Sequence, residues 1–71
     1  MNAGMIEVAI NGQPREIPEG TTVAGLFDVL GLDPEGLLIE RNKTVVSRSA
    51  FGSERIEPGD RLEILRFIGG G

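Results

Sequence analysis

A single stretch with helical spacing lies between two sets of strand-like stretches in this 71-residue chain, and this arrangement restricts its fold. From Met5 to Ile10, apolar residues alternate with others, which is the pattern of a strand with one buried face. Asn11-Gly12 follows at once, the dipeptide best suited to a two-residue type I′ hairpin. The sequence therefore predicts a hairpin that returns from about Gln13 to Ile17, before the helix begins.

The helical stretch has apolar residues three and four positions apart, namely Val23, Leu26, Phe27 and Leu30. The hydroxyl of Thr21 or Thr22 can accept a hydrogen bond from the first turn, and Gly31 is placed to end the helix in a left-handed conformation. We predict one short helix of modest intrinsic stability, because Gly25 lies within it.

Three further stretches are predicted to be strands: Leu37 to Arg41, Thr44 to Arg48 and Arg61 to Ile68. Phe51 is expected to fill the core from an irregular segment between the last two. A hairpin followed by one helix and more strands indicates an α+β domain, with one mixed sheet of roughly four to five strands and a single main helix packed across it. We therefore expect one domain over residues 1–68 and a flexible glycine tail over residues 69–71.

The composition argues against several classes of function. The chain has no cysteine and no histidine, so it lacks a thiolate nucleophile as well as the commonest general base and metal ligand. Its net charge of −4 opposes nucleic-acid binding, which normally needs a basic face. No apolar stretch approaches the roughly 20 residues of a membrane span. We expect a cytoplasmic protein that is not an enzyme, binds no cofactor or metal, and contacts neither nucleic acid nor membrane.

The last predicted strand has large apolar residues on both of its faces. Leu62 and Ile64 share one face, whereas Leu65 and Phe67 share the other. If the helix covers the first face, Leu65 and Phe67 project from the far side of the sheet, where exposed apolar groups commonly mark a docking site. The alternative is that a loop or the edge of the domain covers them.

Three glycines, Gly69-Gly70-Gly71, end the chain. Because glycine has no Cβ, such a tail is narrow, fully extendable and free in its backbone angles. These properties suit a tail that carries its terminal carboxylate into the active site of another protein. Taken alone, the glycine run has a simpler explanation as a frayed terminus or a remnant of expression.

Five segments of the chain together carry a resemblance to a known family: Ile10-Asn11-Gly12, Glu40-Arg41-Asn42, Val45-Val46 with Arg48, Gly59-Asp60, and Phe67-Ile68-Gly69-Gly70-Gly71. The whole chain resembles the sulfur carrier proteins of thiamin biosynthesis (ThiS), which are small ubiquitin-like proteins of the β-grasp fold. The Glu-Arg-Asn segment and the C-terminal segment are the most specific of the five.

The resemblance implies a β-grasp fold and the role of a sulfur carrier. A ubiquitin-activating-type adenylating enzyme would use ATP to adenylate the carboxylate of Gly71, and a sulfur donor protein would then supply the sulfur of a thiocarboxylate. Thiazole synthase would use that thiocarboxylate to build the thiazole ring. The implied site residues are Gly70 and Gly71 at the reactive end, with Phe67, Ile68 and Gly69 as contacts of the tail. Leu65 is added to these partner contacts from the alternation of the last strand alone.

The residues leave alternatives open. The small subunit of molybdopterin synthase uses the same chemistry, although its members usually carry prolines where this chain has Arg66-Phe67-Ile68. A protein-conjugating modifier would join the same tail to lysines. A regulatory or ligand-binding β-grasp domain would suit Gly59-Asp60 equally well but has no use for terminal glycines. Glu40 and Arg41 suit either pairing within the fold or contact with a partner.

Overall fold

The computed structural model describes residues 4–66 of the chain. Its elements, in chain order, are β1 (Met5–Ile10), β2 (Gln13–Pro18), α1 (Val23–Leu30), β3 (Leu37–Arg41), β4 (Thr44–Val45), a short 3₁₀ helix (Arg48–Ala50) and β5 (Arg61–Arg66). The five strands form one sheet in the order β2-β1-β5-β3-β4. Because β5 runs parallel to β1 and antiparallel to β3, the predicted mixed sheet with one main helix is confirmed.

Both two-residue turns of the sheet have the backbone conformation that a type I′ turn requires, with positive φ at both positions. In the β1–β2 hairpin, φ is 50° at Asn11 and 82° at Gly12. In the β3–β4 hairpin, φ is 52° at Asn42 and 72° at Lys43. The first pair matches the preference of this turn, whereas Lys43 adopts a conformation that is unfavourable for a residue with a Cβ.

One face of the sheet and the helix share a single apolar core. Of the two candidate threonines, Thr22 caps the helix, since its Oγ1 accepts a hydrogen bond of 3.1 Å from the Gly25 N–H. Gly31 ends the helix at a φ of 71°, as predicted. The buried core residues are Ile6, Val8, Ile17, Val23, Leu26, Phe27, Leu37, Ile39, Val46, Phe51, Ile56 and Leu62. Within the described part of the chain, no helix has the length and apolar character of a membrane span.

The prediction that the fourth strand runs from Thr44 to Arg48 is wrong at its C-terminal end. Strand β4 stops at Val45, although the N–H of Val46 still donates to the Ile39 carbonyl at 2.9 Å. The chain then enters the 3₁₀ helix, which brings Phe51 into the core at a ring-centroid distance of 5.5 Å from Phe27. Packing of this ring therefore overrides the local strand preference of the segment.

Candidate functional site

The central strand of the sheet, β5, leads directly to the C-terminal segment. Leu62 is 1% exposed and Ile64 packs against the core, whereas Leu65 is 50% exposed. The predicted division of this strand into two faces is thus confirmed as far as Arg66. The other predicted site residues, and the end of the strand at Ile68, lie outside the described residues: Phe67, Ile68, Gly69, Gly70 and Gly71.

Leu65 belongs to a small apolar patch on the sheet face that lies opposite the helix. Leu38 faces it directly in the antiparallel β3–β5 pair, which places their Cβ atoms about 5 Å apart. Val45, which is 55% exposed, pairs with Glu40 and is the diagonal neighbour of Leu38 on the same face. We call Leu38, Val45 and Leu65 the outer patch. A surface cavity of about 340 Å³ borders this patch at Leu38 and Val45.

Glutamates flank the outer patch on the same face of the sheet. Glu40 lies directly opposite Glu63, two residues along from the Leu38–Leu65 pair, and Arg61 is a cation of the same face. Like charges in directly opposed positions destabilise a sheet, so the pairing of Glu40 with Glu63 does not itself stabilise the fold. The resulting surface suits a partner that offers an apolar contact surrounded by basic side chains.

A buried carboxylate fastens the start of β5 to the β3–β4 hairpin. Asp60, only 7% exposed, accepts hydrogen bonds from Arg41 Nε, from Asn42 Nδ2 at 3.1 Å and from the Glu57 N–H at 2.8 Å. Arg41 also forms an ion pair with Glu54 at 3.0 Å. Burial opposes ionisation of the Asp60 carboxyl, yet its three hydrogen bonds outweigh burial and hold its pKa below the usual value.

Two of the segments that carry the family resemblance meet in this network. Arg41 and Asn42 belong to the segment Glu40-Arg41-Asn42, and Asp60 belongs to the segment Gly59-Asp60. Asn42 also accepts the N–H of Arg61 through its Oδ1 at 2.9 Å, which holds the first residue of β5 in place. Arg41 is therefore engaged within the fold, whereas Glu40 lies on the outer face beside the patch.

The described part of the chain shows no arrangement of side chains suited to a metal ion. Among residues 4–66, no group of three or more histidine, cysteine, aspartate or glutamate side chains is placed to hold one. Glu54 and Asp60 are engaged with Arg41. Asp33 uses its Oδ1 to accept the N–H of Glu35 at 3.0 Å, which is a local turn interaction. The carboxylates of Asp33, Glu54 and Asp60 are thus engaged in contacts within the fold.

Leu38 and Val45 are surface residues that the sequence interpretation did not assign to a site. A sequence feature could have found Leu38, because the run Leu37-Leu38-Ile39 must place one large apolar side chain on the face opposite the core. Val45 could not be identified in this way, since its position depends on its pairing with Glu40 across the hairpin.

The model of the ThiS family matches residues 8–71 of the chain. Among relatives, the chain is 42% identical over 66 residues to a thiazole synthase of Magnetococcus marinus and 38% identical over 66 residues to one of Paramagnetospirillum magneticum. Each of these matches covers 93% of this chain but only 20% of the relative, so the chain spans about a fifth of the length of those proteins.

A solved structure shares the fold over nearly the whole chain. The crystal structure of the thiamine biosynthesis protein ThiS from Geobacter metallireducens matches with a TM-score of 0.84 and 32% sequence identity. The match covers 93% of this chain and 100% of that chain.

Proposed function

The chain belongs to the ThiS family, and we propose that it is a sulfur carrier that works through the carboxylate of its last residue, Gly71. In this role it is a substrate of other enzymes and has no catalytic residues of its own. The reactive group is the end of the main chain, which is consistent with a sequence that has neither cysteine nor histidine.

The proposed chemistry begins with activation, because a free carboxylate has no good leaving group. A ubiquitin-activating-type enzyme binds ATP, and the Gly71 carboxylate attacks the α-phosphate, so that pyrophosphate leaves and an acyl adenylate forms. Sulfur that a donor protein releases as hydrosulfide attacks the carbonyl carbon, the hydrosulfide proton is lost, and AMP leaves with one oxygen of the original carboxylate. The resulting thiocarboxylate is the form that thiazole synthase consumes.

The position of β5 is the observation that carries this proposal. The strand lies at the centre of the sheet, is fastened at its start by the Asp60 network, and leads into a terminal segment of three glycines. Glycines keep a chain narrow enough to enter an active site that a bulkier segment would not enter. The domain therefore serves as a rigid handle, and the segment after Arg66 serves as the reactive arm.

The outer patch is the proposed docking surface for the adenylating enzyme. Leu65 is half exposed, and it lies only six residues before Gly71, so a partner bound at this face is close to the tail that it modifies. The glutamates around the patch favour a partner with basic side chains at the rim of its contact surface.

Thiazole synthase is the second partner in the proposal. The support comes from the relatives that carry this name, in which a region similar to this chain makes up 20% of the protein. Joining a carrier to the enzyme that consumes its cargo raises their effective concentration. We infer that an enzyme of the same kind consumes the sulfur carried by this chain, in the cytoplasm, where ATP is available for the first step.

The intact mass of the chain tests the proposal directly. The chain is incubated with ATP, its host's adenylating enzyme and a sulfur source, beside a matched variant that lacks Gly71. The expected result is a mass gain equal to the replacement of one oxygen by sulfur, in the full-length chain alone. An unchanged mass, with the enzyme shown to be active on another carrier, would refute the carrier role and favour a regulatory or ligand-binding domain.

A further inference from the structure

The side chain of Asn11, in the turn of the first hairpin, pairs with the main chain of β5. Its Oδ1 accepts a hydrogen bond of 2.8 Å from the Ile64 N–H, and its Nδ2 donates to the Ile64 carbonyl at 3.3 Å. The main-chain N–H of Asn11 donates to the Leu62 carbonyl at 2.8 Å. The side-chain amide thus makes the two bonds to Ile64 that a further strand residue would make.

These bonds lie where the pairing of β1 with β5 ends. The register of the two strands stops at Ile10 opposite Leu62, because the chain turns away at Asn11. At Leu65 and Arg66, the last described residues of β5, the strand is paired on one side only, with β3. Among the hydrogen bonds of residues 4–66, those of the Asn11 amide are therefore the ones nearest the C-terminal end of β5 on this edge of the strand.

We propose that Asn11 is a positioning residue for the tail. By pairing with Ile64, its amide keeps the end of β5 extended and in the plane of the sheet, and so fixes the direction in which the chain continues beyond Arg66. This inference rests on the proposed function, because the consequence is that the Gly71 carboxylate reaches the active site of the adenylating enzyme more often in a productive orientation.

The conformation of the turn alone does not account for this contact. A φ of 50° explains why asparagine is favoured at position 11, but glycine adopts positive φ at least as readily. Asn11→Gly therefore keeps the turn and removes the amide. Asn11→Asp keeps the turn and the acceptor for the Ile64 N–H, but it places a carboxylate oxygen against the Ile64 carbonyl in place of the Nδ2 donor.

The kinetic test separates positioning from docking. With the chain as the varied substrate of the adenylating enzyme, Asn11→Gly and Asn11→Asp should each lower kcat about 5-fold, the size of effect that one lost hydrogen bond produces. KM should stay within about 2-fold, because the outer patch is intact. Lys43→Gly is the matched control: it places glycine in the other type I′ turn, away from the tail, and should leave kcat unchanged.

A second measurement on the full chain is independent of any enzyme. Amide hydrogen exchange at Ile64 should be faster in Asn11→Gly, and the ¹⁵N relaxation of Leu65 and Arg66 should show greater mobility than in the wild type. Unchanged relaxation at these two residues would overturn the inference, as would an unchanged kcat despite faster exchange at Ile64. If the wild-type chain is not adenylated at all, the proposed function fails and the relaxation data alone decide the role of Asn11.

Discussion

Replacing Asp60 by asparagine should destabilise the domain more than its change of one atom suggests. The carboxylate is 7% exposed, and its two oxygens receive three hydrogen bonds. In Asp60→Asn, the new NH₂ group must face at least one donor, so at least one hydrogen bond to a charged group is lost. Such a bond is worth about 1.5–3 kcal/mol, and loss of the ion pair with the 24%-exposed Arg41 side chain adds up to about 1 kcal/mol.

The expected loss in the free energy of unfolding is therefore about 1.5–4 kcal/mol, which should lower the Tm by about 10–27 °C in a domain of this size. Glu54→Gln is the matched control, because it removes the other carboxylate that contacts Arg41. Its side chain is 33% exposed and the pair is open to solvent, so it should cost only about 0–1 kcal/mol. Urea unfolding of both variants at pH 7 measures the difference.

The pH dependence gives an independent check on the same reasoning. Because the folded-state pKa of Asp60 is lowered, its contribution is fully present above the unfolded-state pKa of about 4 and is lost as the pH falls below that value. The stability difference between wild type and Asp60→Asn should therefore shrink on acidification from pH 5 towards pH 3. Equal costs for Asp60→Asn and Glu54→Gln, or a difference that does not change with pH, would refute the structural argument.

Three further predictions concern the docking surface, the tail and the second turn. Leu65→Glu should weaken binding of the adenylating enzyme about 10-fold or more without unfolding the domain. Val29→Glu changes a 38%-exposed residue on the helix and should leave this binding unchanged. Equal affinities for the two variants would show that the outer patch is misassigned. Gly70→Ala should slow adenylation at an unchanged Tm, because a Cβ widens the tail, and a normal rate would count against a narrow path into the enzyme. Lys43→Gly should raise the free energy of unfolding by about 0.5 kcal/mol, because glycine adopts the φ of 72° at this position without the strain of a Cβ. An unchanged unfolding free energy in calorimetry would contradict this.

The elements could be predicted where a local period fixes which side chains are buried. Leu26 and Phe27 are both buried because helical spacing places them on one side, and Leu62 and Leu65 differ because the strand period is two. The end of β4 could not be predicted in this way. It depends on Phe51 meeting Phe27, a contact between residues far apart in the sequence.

The Asp60 network shows the same limit at the level of the site. Arg41 and Asp60 are 19 residues apart, and nothing in either segment alone indicates that they pair. Their meeting requires the β3–β5 register, in which Arg41 lies opposite Leu62, just beyond the loop that carries Asp60. The sequence could therefore suggest that Arg41 belongs to the fold, but only the sheet identifies its partner and the strand that this pair holds.

Asn11 is hidden for a different reason, because its sequence context already has a complete local explanation. Asparagine before glycine is what a type I′ turn prefers, so no unexplained residue remains to suggest a second role. That role follows from the parallel register of Ile10 with Leu62, which places the turn beside Ile64. The residue that closes the first hairpin thus also pairs with the last strand at Ile64, and by our proposal a change there alters the presentation of Gly71, 60 residues further along the chain.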